Sequence, residues 1–191
     1  MRVIDNFLST YAEYKRYTDQ ADFKIETFGN KDYFISPIPE HLQRLVYSKI
    51  QRIFGIGDEF IPNICFFRKN TPDIDNDVRI HTDQNHCEFA SVLYMSENRN
   101  SLNGTAFWDH PKYGKSLPYD AKDKVIENIN EYEGKDESIW TLNTVVGARE
   151  NRCATYPSNL FHSRYPFKSD HQRLIGVFFW STSRYQKTRT L

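Results

Sequence analysis

The sequence predicts a mainly β domain with a few flanking helices, and three observations carry that prediction. Short apolar or alternating segments recur along the 191 residues, bounded by Gly, Pro, Asn or Asp. The chain holds 14 Phe, 12 Tyr and 3 Trp at a low mean hydropathy, the balance of a β-rich core built on aromatic rings. Helical periodicity is confined to a few stretches. The length suits one domain spanning 1–191 with a sizeable core.

Taken in order, Val3 to Leu8 reads as a short apolar strand, and Ser9 or Thr10 as the cap of a helix running to about Asp19. Phe23 to Phe28 and Tyr33 to Ser36 are two strands separated by the turn signal Gly29-Asn30. Pro39 opens an amphipathic helix whose stripe is Leu42, Leu45, Val46, Lys49, Ile50, Ile53 and Phe54, ended by Gly55 and Gly57. Ile61 to Arg68, Val78 to Asp83 and Phe89 to Ser96 are further strands, and Asn103-Gly104 is a hairpin signal. The charged stretch 110–147 is the least regular, with a helix expected between Asp120 and Glu133 on a stripe of Val125, Ile126, Ile129 and Tyr132. Arg152 to Tyr156, Leu160 to Ser163 and the apolar run from Arg173 to Trp180 complete the strands.

Composition excludes several classes. Lys plus Arg equals Asp plus Glu at 25 each, so no basic surplus indicates nucleic acid. No apolar run approaches membrane-spanning length, and Met1-Arg2-Val3-Ile4-Asp5 lacks the apolar core of a signal peptide, so a soluble, cytoplasmic protein is expected. Cys65, Cys87 and Cys153 are odd in number and widely spaced, as buried thiols in a reducing compartment would be. Three aspartates between Lys69 and Asp77 do not have the spacing of a calcium loop.

The chemistry centres on Arg79-Ile80-His81-Thr82-Asp83. On an extended strand His81 and Asp83 share one face, and a second histidine from a distant strand would complete two imidazoles and one carboxylate around a metal. That donor set leaves three positions open and is the facial triad of a non-haem Fe(II) oxygenase. His162, in Leu160-Phe161-His162-Ser163, is the candidate third ligand. His86 lies three residues past Asp83, on the opposite strand face.

The ordered set of His81, Asp83, Val92-Leu93-Tyr94, Asn103-Gly104-Thr105-Ala106-Phe107-Trp108, His162 and then Arg173 resembles the Fe(II)- and 2-oxoglutarate-dependent dioxygenase superfamily, within it the prolyl 4-hydroxylase-like branch. The resemblance covers roughly residues 60 to 182. It implies a double-stranded β-helix, or cupin-like jelly roll, over 60–182, preceded by supporting strands and helices in 1–59 and carrying an inserted lid at 110–147. It implies Fe(II) held by His81, Asp83 and His162, 2-oxoglutarate as co-substrate and O2 as oxidant. Arg173 would receive the far carboxylate of 2-oxoglutarate through a planar fork of charge-assisted hydrogen bonds, with Tyr94 assisting. Trp108, His110 and Trp140 would border the substrate.

The implied outcome is hydroxylation of an unactivated carbon of an amino-acid side chain, peptidyl or free, with succinate and carbon dioxide as co-products. A small molecule or peptide is the expected partner. Two departures are visible: Cys65-Phe66-Phe67-Arg68 stands where the branch often has a tyrosine bonding the co-substrate, and the loop after it lacks the usual glycines. A catalytically silent jelly-roll scaffold and a zinc hydrolase using the same three ligands are the alternatives.

Overall fold

The computed structural model describes residues 1–28, 31–71, 74, 79–96, 103–167 and 172–185. In chain order its elements are β1 (Arg2–Ile4), α1 (Tyr11–Asp19), β2 (Lys24–Phe28), β3 (Lys31–Pro37), α2 (Glu40–Phe54), β4 (Phe60–Asn70), β5 (Phe89–Tyr94), β6 (Gly104–Asp109), α3 (Asp123–Glu131), β7 (Thr141–Gly147), β8 (Arg152–Pro157), β9 (His162–Tyr165) and β10 (Arg173–Thr182). All strand pairs are antiparallel. The larger sheet has the order β1-β8-β5-β10-β4-β3-β2 and the smaller one β7-β6-β9. A single bridge from His81 to His162 adds the metal segment to the smaller sheet beside β9. From β4 to β10 the chain therefore passes back and forth between two facing sheets, which is the expected jelly roll. The strands of 1–59 are built into the larger sheet: β1 joins one edge, and β3 with β2 extends the other.

Alternation along the strands sorts the core into layers. On the outer face of the larger sheet, Phe67, Leu93, Phe178 and Trp180 pack under Tyr14 of α1 and Leu42, Val46 and Ile50 of α2. Between the sheets lie Ala90, Val92, Tyr94, Phe107, Ala154, Tyr156, Ile175 and Val177. On the outer face of the smaller sheet, Ala106, Trp108 and Phe161 meet Ile126 and Ile129 of α3. The α2 stripe is narrower than its periodicity suggests, for Leu45 stays 42% exposed.

Some local expectations are corrected. The first strand is only three residues long because Asn6 takes a positive φ of 51° and turns the chain. Asn103-Gly104 is not a hairpin turn between neighbouring strands, since β5 and β6 belong to different sheets. Gly104 is instead a close-approach position, where an added Cβ would lie 1.9 Å from the Val146 carbonyl oxygen. Residues 79–83 are not a regular strand; His81 alone forms a ladder bridge. Val78, Gly29-Asn30 and the three aspartates of the calcium question lie outside the described residues.

Trp180 shows what the outer layer contributes. It is fully buried, stacks on Phe89 at 4.3 Å and Phe60 at 5.3 Å, and donates from Nε1 to Ser91 Oγ at 3.0 Å. Trp180→Ala is expected to destabilise the fold by about 3–5 kcal/mol, read as a lower urea midpoint at unchanged slope.

Candidate metal centre

Three side chains of the predicted set converge. His81, Asp83 and His162 each offer a ligand atom, and these atoms lie within 4.8 Å of one another. His162 Nε2 is 3.1 Å from Asp83 Oδ2, and His81 Nε2 is 3.6 Å from Asp83 Oδ1. The two imidazole centroids are 4.4 Å apart. The backbone places them: His81 and His162 exchange N–H to carbonyl bonds of 2.9 and 3.0 Å, and the Asp83 amide donates to the Ser158 carbonyl at 2.8 Å.

Each ring is also oriented from behind. His81 Nδ1 lies 3.0 Å from the Arg79 carbonyl, and His162 Nδ1 lies 2.9 Å from the Leu160 carbonyl. A carbonyl only accepts, so each Nδ1 carries its hydrogen and each Nε2 is the nitrogen presented to the carboxylate. This outer-shell pattern fixes a metal-ligating imidazole in the required tautomer. Two imidazoles and one carboxylate thus fit a divalent transition metal.

The charges of the cluster are tightly linked. Burial holds His81 down to about 3, reinforced by neighbouring His162. Burial also works against a charge on His162, but the Asp83 carboxylate and its hydrogen bond outweigh it and raise that group. For Asp83 burial alone would raise the carboxyl, yet His162, by charge and hydrogen bond, and His81 hold it below the usual range. The carboxylate thus favours a proton on His162 over one on His81, and a bound metal ion would take that proton's place.

Arg173 and Tyr94 lie deeper between the sheets. Arg173 is 6% exposed, donates from Nε to Asn70 Oδ1 at 3.0 Å, and donates from Nη1 to the Gly104 carbonyl. The Tyr94 hydroxyl donates to Thr105 Oγ1 at 2.7 Å. Ile175 pairs with Tyr94, so Arg173, two residues before Ile175, shares the inward face with that phenol. Burial raises the Tyr94 hydroxyl, an effect that the Arg173 charge and the Thr105 hydrogen bond oppose. Thr105 stands two residues along β6 from Phe107, the cross-strand partner of His162. About 7 Å of strand therefore separates the two levels. On β4, Phe66 and Arg68 face the same interior opposite Val177 and Ile175, and the Arg68 guanidinium lies 4.7 Å over the Tyr33 ring.

The remaining predicted residues are elsewhere. Trp108, His110 and Trp140 are buried on the outer face of the smaller sheet, away from the ligands. Trp108 donates to Ser163 Oγ and stacks on Phe167, while His110 packs between Trp140 and Tyr113. The helix of 110–147 packs on that outer face as well, through Ile126 and Ile129, and Tyr132 of the expected stripe is 69% exposed. Among the described residues the cluster does not include His86, which is exposed and stacks at 6.4 Å on Phe179.

Several residues around the centre were not singled out by sequence. Tyr156, 4.9 Å from the His162 ring, was accessible through the period of two along Ala154 and Tyr156. Asn70 and Ser158 act through long-range pairings, and no local pattern announces them. Asn130, on α3, bonds the backbone of Thr82 between the two ligands.

Several solved proteins share this fold. HygX from Streptomyces hygroscopicus, solved with nickel, 2-oxoglutarate and hygromycin B bound, is 12% identical at a TM-score of 0.58, covering 95% of this chain and 82% of that one. SnoN, a non-haem alpha-ketoglutarate-dependent epimerase from nogalamycin biosynthesis, is 14% identical at 0.65, covering 93% and 76%. A prolyl hydroxylase from Trichoplax adhaerens, in complex with a hypoxia inducible factor peptide, is 12% identical at 0.58, covering 98% and 86%. The fold is thus the one shared by these three proteins. The chain itself belongs to the family of unknown function DUF6445, which matches residues 1–166. No curated protein matches it.

Proposed function

We propose that this protein is an Fe(II)- and 2-oxoglutarate-dependent dioxygenase that hydroxylates an unactivated carbon of an amino-acid side chain, peptidyl or free, in the manner of the prolyl 4-hydroxylase-like branch. The observation that carries the reading is the cluster of His81 Nε2, His162 Nε2 and Asp83 carboxylate, both rings fixed through Nδ1, with Arg173 buried beyond it between the same two sheets. His81, Asp83 and His162 would hold the iron. One carboxylate cancels only one of its two charges, which favours a dianionic co-substrate. When bound, iron and 2-oxoglutarate supply the oxidising equivalent from O2, with succinate and carbon dioxide as co-products.

The protein's own groups do the rest. Arg173 receives the far carboxylate, held in orientation by Asn70 and Gly104. Tyr94 directs a phenol to the same end. Ala90, Val92, Phe107, Ile175 and Val177 keep the interior apolar, so those charge-assisted bonds form in a low dielectric. Arg68 and Phe66 occupy the strand where the branch often has a tyrosine bonding the co-substrate, so that contact is missing or replaced, and the loop after it lacks the usual glycines, which argues against a prolyl substrate. The protein is proposed to work in the cytoplasm, consistent with three unbridged cysteines. No helix among the described residues is long and apolar enough to cross a membrane.

The test is an anaerobic titration of metal-free protein with Fe(II) and then 2-oxoglutarate. A visible charge-transfer band that develops at one equivalent of each is the expected result. Fe(II) binding with no such band would remove the reading and leave the scaffold or zinc alternatives.

A further inference from the structure

We infer that the C-terminal end of α3 and the turn after it form a clamp that sets the spacing of the metal ligands, with Asn130 as its positioning residue. This inference rests on the metal reading above and goes beyond it in giving the 110–147 insertion a task. Residues 79–83 carry two of three ligands yet are not part of a regular strand, so their backbone needs partners on both edges. On one edge His81 bonds His162, and the Asp83 amide bonds Ser158. On the other edge no strand follows among the described residues, and the insertion takes its place.

The substitution is specific at each residue. The Ile80 amide donates to the Gly134 carbonyl at 2.9 Å. The Thr82 amide donates to Asn130 Oδ1 at 3.0 Å, and Asn130 Nδ2 donates back to the Thr82 carbonyl at 3.1 Å. A carboxamide carries one acceptor and a donor pair on one plane, so a single side chain reproduces what a neighbouring peptide would offer. Arg79, at the start of the segment, lies 3.6 Å from Glu131 of α3. Thr82 and Ile80 are buried, so an unmade bond here would not be replaced by water.

The clamp is itself held firmly. Ile126 and Ile129 anchor α3 in the outer core. Glu133 accepts from Asn128 at 2.5 Å and sits 2.7 Å from His110 Nε2. His110 Nδ1 accepts from the Lys112 and Tyr113 amides, so its Nε2 carries the hydrogen given to Glu133. Trp140 Nε1 donates to the Glu133 carbonyl at 2.9 Å. At Gly134 the backbones approach so closely that a Cβ would lie 2.0 Å from the Ile80 carbonyl oxygen. His110 and Trp140, placed in the substrate pocket by sequence, thus belong to the support of the clamp.

The test uses Co(II) as probe on the metal-free protein, with affinity measured by calorimetry and geometry by the visible d–d spectrum, neither of which requires turnover. Asn130→Leu, which keeps the γ-branched shape and removes both bonds, should weaken Co(II) about 10–100-fold and shift the d–d bands. Asn130→Asp keeps the acceptor for the Thr82 amide and loses the donor, and should fall between it and the wild type. Ile50→Val loosens the packing of α2 on the larger sheet, away from the clamp, and should leave both the affinity and the bands unchanged. If Asn130→Leu does not fold, the Asp variant decides. Wild-type affinity and bands in the Asn130 variants overturn the clamp while the metal reading stands. An equal loss in Ile50→Val reduces Asn130 to a structural role and likewise overturns it. A wild-type protein that binds no Co(II) overturns the metal reading and the clamp together.

Discussion

His162→Ala is expected to abolish metal-dependent turnover and to weaken divalent-metal binding by more than about 100-fold, the upper end of what loss of a single outer-shell partner produces. The change removes one of three ligands, and the other two come from a single short segment that cannot enclose an ion. It also removes the strongest partner of Asp83, at 3.1 Å. The fold should survive, because the bond pair that joins His162 to His81 is made by the backbone. Lost ring contacts with Tyr156 and Phe107 should destabilise by only about 1–3 kcal/mol. Calorimetry of metal binding beside a thermal melt separates the two effects. Turnover that persists in a folded His162→Ala protein would mean the third ligand lies elsewhere.

Arg173→Ala should act on the co-substrate. A guanidinium meets a carboxylate through two parallel charge-assisted bonds, each worth about 1.5–3 kcal/mol, so the apparent affinity for 2-oxoglutarate should fall by about 100-fold or more. Metal binding without 2-oxoglutarate should stay near wild type, since the bonds that hold Arg173 run to Asn70 and Gly104. Arg173→Lys keeps the charge but not the planar fork, and should recover part of the affinity. Saturation curves for 2-oxoglutarate across the three proteins provide the check. An unchanged apparent affinity in the alanine variant would show that another group receives the carboxylate.

The parts of the centre that sequence could reach were those governed by local periodicity or by chain order. His81 and Asp83 share a face because one residue separates them, while His162 and Arg173 were reached by their order along a familiar motif set. Helix α2 declared itself through Leu42, Val46 and Ile50, all buried as its period requires. What stayed hidden depends on pairings between remote segments. Phe107 and Trp108 are both aromatic and adjacent, so only the sheet partners show that Phe107 faces His162 and Trp108 faces Phe167. A register shift between those two residues further blurs the alternation. The metal segment read as a strand because its composition is that of one; its second edge is satisfied by a side chain from α3, which no strand pattern anticipates.

The order of the larger sheet has a consequence for how the molecule assembles. β1 lies against β8, with Arg2 opposite Thr155, and β4 lies against β10, with Asn70 opposite Arg173. Such ladders close only after long loops have been drawn together, and the entropy of closure is spent before any contact rewards it. Folding on the millisecond-to-second scale of high-contact-order β proteins is therefore expected. On a translating ribosome, β1 and β4 emerge well before their partners and wait with open hydrogen-bonding edges. For that interval the nascent chain is a template for the wrong strand, and its exposure to aggregation is set by the pace of synthesis rather than by the stability of the finished sheet.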